Sequence, residues 1–130
     1  MRRFVSILAI LMVITACDIE HVRVERIFSL SDSERLVSDL KGLWEKYHEH
    51  ATEQATATSV PQEEWPGSVK RYQPNSISVT SDGVWVIVYD SPVETAGIFV
   101  VFNPQFTPKS KPDSSFERLD GPCYWFYTSD

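Results

Sequence analysis

Three stretches of this chain are apolar on both alternating sets of side chains, and this limits the fold more than any other feature. Val84, Val86 and Val88 form one set of the first stretch, and Trp85, Ile87 and Tyr89 the other. Ile98, Val100 and Phe102 stand against Phe99 and Val101, and Cys123, Trp125 and Tyr127 against Tyr124 and Phe126. Successive side chains of a strand point to opposite faces, so a half-exposed strand carries polar residues on one set. A sheet built from these strands has two apolar faces, and each has to be covered.

The flanking residues specify antiparallel pairing. Ser76 to Thr80 alternates with Ile77 and Val79 on one face, and Ser81-Asp82-Gly83 is a hairpin turn signal leading into Val84 to Tyr89. A third strand is predicted from Gly97 to Phe102. The loop from Asn103 to Asp113, with Pro104, Pro108 and Pro112, interrupts the pattern. A last pair of segments, Phe116 to Leu119 and Cys123 to Tyr127, is joined by Asp120-Gly121-Pro122. Upstream, Glu64-Trp65-Pro66 permits a short helix with Val69 and Tyr72 on one side, ended by Pro74.

One longer helix precedes these elements. Ser31-Asp32-Ser33-Glu34 has the spacing of a capping box. Leu36, Val37, Leu40, Leu43, Trp44, Tyr47 and Ala51 then form a stripe over roughly a third of the helix circumference. An Ala- and Thr-rich linker follows, up to Pro61. The expected fold is α+β: one long amphipathic helix (about 31–55) packed on an antiparallel four- to five-stranded meander (about 76–127), in a single domain over residues 31–130. Such a helix covers one sheet face. The other is covered either by the chain itself, through the Trp65 segment, the loop carrying Phe106 and Phe116 or the N-terminal stretch, or by another molecule. In the latter reading Trp85, Tyr89, Tyr124 and Phe126 form a partner surface.

Residues 1–16 have the parts of a secretion signal: Arg2 and Arg3, an apolar run from Phe4 to Ile14, and small residues before a cleavage point. The run is about half the ~20 residues of a membrane-spanning helix. The tetrad Ile14-Thr15-Ala16-Cys17 resembles the lipobox of bacterial lipoproteins, with Ile14 where the pattern prefers Leu. That resemblance implies that the Cys17 thiol takes a diacylglyceryl group, that the signal is cut before it, and that the new amine is acylated. A thiolate is the strongest nucleophile among ordinary side chains, which is why the position is cysteine. Residues 17–30 are then a lipidated tether, with an apolar alternation at Val22, Val24, Ile27 and Phe28 that also suits a short strand. Two acyl chains give stable anchoring. The expected location is the cell envelope, with the domain facing the periplasm; by resemblance to enteric lipoproteins, Asp18 favours the inner membrane.

A second resemblance covers roughly the last half of the chain. The run Trp65-Pro66-Gly67-Ser68-Val69-Lys70-Arg71-Tyr72-Gln73-Pro74, with Ser81-Asp82-Gly83-Val84, Gly97-Ile98-Phe99-Val100 and Tyr124-Trp125-Phe126-Tyr127, is similar to a pattern in small bacterial proteins of unassigned activity, many of them lipoproteins. It implies no activity and assigns no site residue.

Charge and chemistry narrow the function classes. The chain has 18 Asp and Glu against 12 Lys and Arg, for a net charge of −6, and cleavage of the signal removes Arg2 and Arg3 but no acid. An acidic surface disfavours nucleic acid and anionic headgroups, so no nucleic-acid partner is expected and the lipid on Cys17 makes the membrane contact. With Cys17 alkylated, Cys123 has no disulfide partner within the chain. Its apolar setting reads as a buried small hydrophobe, the other reading being a reactive thiol or an intermolecular disulfide. His48-Glu49-His50 invites a metal site, but residues two apart on a helix lie about 200° around the axis and cannot share one ion. No carboxylates form a recognisable acid–base pair, Asp82 and Asp120 belong to turns, and His21 reads as part of the tether. Nucleophile-elbow, zinc-protease and phosphate-loop motifs are absent. No metal or cofactor is expected, and the reading leans away from an enzyme. The expected function is a membrane-anchored, non-catalytic protein-binding module with an envelope protein as partner. The alternatives are a small envelope enzyme or ligand-binding lipoprotein with a helix–sheet pocket, and an immunity-type protein against a toxin.

Overall fold

The structure, a computed structural model, describes residues 30–129. The secretion segment, Cys17, Asp18, His21 and the alternation at 22–28 lie outside the described residues, as does the side chain of Ser31, the expected cap.

Helix α1 (Leu30–Gln54) follows the stripe. Leu36, Leu40, Leu43 and Ala51 are buried on it, and Val37, Trp44 and Tyr47 pack partly buried against the same core. Ala55 stops the helix by adopting a left-handed conformation (φ 52°). The Thr56 N–H then donates to the Ala51 carbonyl and the Ala55 N–H to the Thr52 carbonyl, each at 3.2 Å. This pair of bonds satisfies carbonyls that the helix end would leave open.

The chain continues as β1 (Thr58–Ser59), a 3₁₀ turn (Gln62–Glu64) and the short α2 (Gly67–Lys70), then β2 (Ser76–Val79), β3 (Gly83–Asp90), β4 (Glu94–Val101), β5 (Ser114–Asp120) and β6 (Cys123–Ser129). Pro66 caps α2 from outside, and Val69 and Tyr72 enter the core completely, as the one-sided pattern predicts. No helix among the described residues is long and apolar enough to cross a membrane.

The architecture is α+β, one long helix on an antiparallel sheet, but the sheet has six strands in the order β1-β2-β3-β4-β6-β5 and not four or five. It meanders only as far as β4. After the Pro-rich loop the chain takes up the edge position as β5, then turns back to insert β6 between β5 and β4. Composition explains the exchange: β6 carries Cys123, Trp125 and Phe126, all buried, whereas β5 exposes Ser115, Glu117 and Arg118 and suits an edge. Gly121, at φ +52°, makes the tight turn between them.

The α1 side of the sheet holds the main core. Ile77, Val79, Val84, Val86, Ile98, Val100 and Cys123 are completely shielded there under Leu36 and Leu40. Each large aliphatic side chain so buried contributes roughly 1.5–3 kcal/mol. A bulge interrupts β3: Gly97 pairs with Ile87, but Ala96 pairs with Tyr89, leaving Val88 as the extra residue. Beyond it, Val88 and Tyr89 both pack into the α1-side core. Tyr89 therefore leaves the set of Trp85 and Ile87 to which strict alternation assigns it.

Candidate functional site

The face turned away from α1 is read off the pairing. One row runs Ser78, Trp85, Phe99, Tyr124 and Arg118; the next runs Ser76, Ile87, Gly97, Phe126 and Phe116. The rings pack on one another. Trp85 stacks on Phe99 with centroids 3.8 Å apart and meets Phe126 edge-on at 5.0 Å. Gly97, between Ile87 and Phe126, carries no side chain to separate these rings, and a Cβ there would lie 2.0 Å from the Val86 carbonyl oxygen. The Trp85 indole N–H donates to the Thr80 hydroxyl at 3.0 Å and fixes the ring's orientation.

Part of this face is closed by the chain itself. The loop between β4 and β5 brings Phe106 edge-on to Phe99 at 5.8 Å, and Phe99 has no exposed surface. The loop is anchored at both ends. The Phe102 and Asn103 N–H groups donate to the Asp82 carbonyl at 3.0 Å, and the Asn103 side-chain amide donates to the Asp82 carboxylate at 3.2 Å. At the far end the Phe116 N–H donates to the Ser110 hydroxyl at 3.2 Å. Three prolines, Pro104, Pro108 and Pro112, fix φ along the segment.

Between this loop and the sheet a groove remains open. Its larger part is a cavity of about 650 Å³ with Trp85, Phe106 and Phe116 as its rings and Lys109 and Lys111 on its wall. Gln105, Thr107, Ser114 and Thr128 add neutral polar groups. A second cavity of about 270 Å³ continues over the same face, sharing Trp85 and Thr128 and reaching Ile87 and Phe126. The groove is of the size of small-ligand sites, about 300–1,000 Å³, and has their mixture of rings and a few polar groups. Among the described residues its larger part is lined by two lysines and no carboxylate, in a chain of net charge −6.

The residues singled out from the sequence separate here. Trp85 is half-buried in the groove; Phe126 contributes to its floor but is only 2 % exposed. Tyr124 is half-buried on the same face beside Phe116, with centroids 6.5 Å apart. Tyr89 lies on the opposite side of the sheet. Phe116, Phe106, Lys109 and Lys111 complete the groove without having been assigned to it. Phe106 and Phe116 were legible as cover for the second face, but no periodicity places two lysines of a proline-rich loop.

The remaining candidates have other roles. His48 stacks on Trp44 at 4.1 Å with Nδ1 2.7 Å from the Trp44 carbonyl oxygen, while His50 is exposed. No group of three or more metal-ligating side chains is found among the described residues. Lys46 and Tyr47 both donate to the Glu64 carboxylate and tie α1 to the 3₁₀ turn. These bonds, Lys46 first, hold the Glu64 carboxyl below its usual range and raise the Lys46 ammonium. Cys123 is buried under the start of α1, its sulfur 3.8 Å from the Ser33 hydroxyl. Burial pushes its thiol up to about 11, the Ser33 hydrogen bond opposing the shift and the Asp120 charge adding to it. No family model, curated protein or solved structure matches the chain.

Proposed function

We propose that this chain is a lipid-anchored protein of the bacterial cell envelope whose folded domain is a non-catalytic binding module. The groove between the outer sheet face and the proline-rich loop is where its envelope partner sits. Ile14-Thr15-Ala16-Cys17, behind an apolar signal, supports the anchor. The observation that carries the binding role is the groove itself: Trp85 on β3 and Phe116 on β5 face Phe106, Lys109 and Lys111 on a loop already fixed by prolines and by the Asp82–Asn103 contacts. A preformed wall of this kind spares the ordering cost of binding. The side between α1 and the sheet is filled by completely buried aliphatic side chains. On the outer sheet face Phe99 and Phe126 are shielded, whereas Trp85, Phe106 and Phe116 are half-buried at the groove.

The test uses full-length protein in the membranes of its own cells, with a photo-cross-linking residue at the exposed groove position Thr107 or at the exposed helix position Glu49. The expected result is a specific adduct from position 107 only, lost when Cys17→Ser releases the protein from the membrane. Equal adducts from both positions would remove the groove from the proposal. A Cys17→Ser protein that stays membrane-bound would remove the lipid anchor.

A further inference from the structure

We infer that the groove takes an anionic saccharide, its sugar rings lying on Trp85 and Phe116 and its negative group against Lys109 and Lys111. The inference rests on reading the groove as the binding site and names the chemistry that fits it.

An extended peptide is the first rival, and the sheet offers it little. Peptides bound along sheets use unpaired backbone groups of an edge strand for main-chain hydrogen bonds. The floor is formed by β3, β4 and β6, each paired on both sides, and by the edge strand β5, whose lining residues already spend their outward N–H groups, Ser114 on the Lys111 carbonyl and Phe116 on the Ser110 hydroxyl. Recognition here falls to side chains. A purely apolar ligand fits no better, because it would cover Gln105, Thr107, Ser114 and Thr128 without supplying partners, and unpaired polar groups are costly to bury.

A sugar answers both features. Its ring presents flat patches of C–H that pack on aromatic faces, while its hydroxyls point outward to amides and hydroxyls. Trp85 and Phe116 supply the faces, their centroids 6.1 Å apart, and the four neutral polar residues stand around them. The continuation past Trp85 and Thr128 toward Ile87 and Phe126 adds about 270 Å³, room for a ligand longer than one ring.

Charge selects among sugars. Lys109 and Lys111 are exposed, and neither forms an ion pair among the described residues. The lining near them holds no carboxylate, although acids outnumber bases in the chain, 18 to 12. A local positive site attracts a carboxylate or phosphate.

The experiment titrates full-length lipidated protein in neutral detergent micelles, following the Trp85 indole N–H by NMR. The probes are a short hexuronic acid oligomer, a hexose phosphate, a neutral hexose oligomer and a short acidic peptide. Saturable binding of an anionic sugar with movement of the Trp85 signal is expected, weakened about tenfold for each lysine removed in Lys109→Ala and Lys111→Ala. Both lysines are exposed, so unchanged thermal midpoints show that these variants fold. Tighter binding of the uronate or of the phosphate identifies the anionic group. Equal affinity for the neutral oligomer, tighter binding of the peptide, or no binding of any sugar overturns the inference. If no sugar binds but position 107 still cross-links a membrane protein, the inference alone fails. If that cross-link is also absent, the reading of the groove fails with it.

Discussion

Cys123 should be chemically silent while the domain is folded, and its silence can be measured. The thiol is completely shielded, and burial raises it from an ordinary 9.0 to about 11. At pH 8 a thiol so raised holds roughly a hundredfold less thiolate, and thiolate is the reactive form. In a chain carrying Cys17→Ser, so that Cys123 is the remaining thiol, a disulfide reagent should react at least about a hundredfold more slowly with native than with denatured protein. The same shift has a stability consequence. The folded value lies above the unfolded one, so the stabilisation is fully present below pH 9 and is lost as pH rises through about 11. The complete loss is about 3 kcal/mol. Denaturant titrations of this protein and its Cys123→Ala derivative should diverge in slope between pH 9 and 11, the thiol-bearing protein falling faster. Parallel slopes, or equal labelling rates in native and denatured states, would refute the burial argument.

Three further substitutions test separate parts of the fold. Ala55→Gly should raise stability by about 0.5–1 kcal/mol, a left-handed non-glycine residue costing roughly 1–2 and the freer unfolded chain offsetting part of it, so the melting midpoint rises by a few degrees; Ala55→Val should lower it. Gly97→Ala should cost more than about 3 kcal/mol in urea unfolding, since its Cβ would sit 2.0 Å from the Val86 oxygen, while Gly67→Ala, with nothing within 4 Å, should be nearly neutral. Tyr89→Ala should destabilise the domain yet leave the position-107 cross-link intact, whereas Phe116→Ala should abolish the cross-link; equal effects on the cross-link would return Tyr89 to the outer face.

Strong periodicity was legible and weak or local signals were not. The α1 stripe and the β2–β3 hairpin follow from apolar spacing, and their ends fall within one or two residues of expectation. The start of β4 at Glu94-Thr95-Ala96 and of β5 at Ser114-Ser115 lacks large apolar residues, so those strands are longer than their patterns. Thr58–Ser59 is too short to show alternation and becomes a strand because β2 offers it a partner. The bulge after Ile87 is a pairing event between two strands, so Tyr89's change of side leaves no mark on β3's own sequence. Two apolar faces were readable in advance. That a proline-rich loop would fold over one of them and set Lys109 and Lys111 along its margin depends on contacts between residues as distant as Asp82 and Asn103.

The insertion of β6 between β4 and β5 bears on the order of events in the chain's life. Both neighbours of β6 precede it, so no nascent segment ending before Cys123 can close the sheet. Its Cys123 and Trp125 are also the last components of the core under α1. A chain made from its N-terminus therefore holds β6 in reserve, and the sheet stays open until that strand is free to slide between its two waiting neighbours and lock them together.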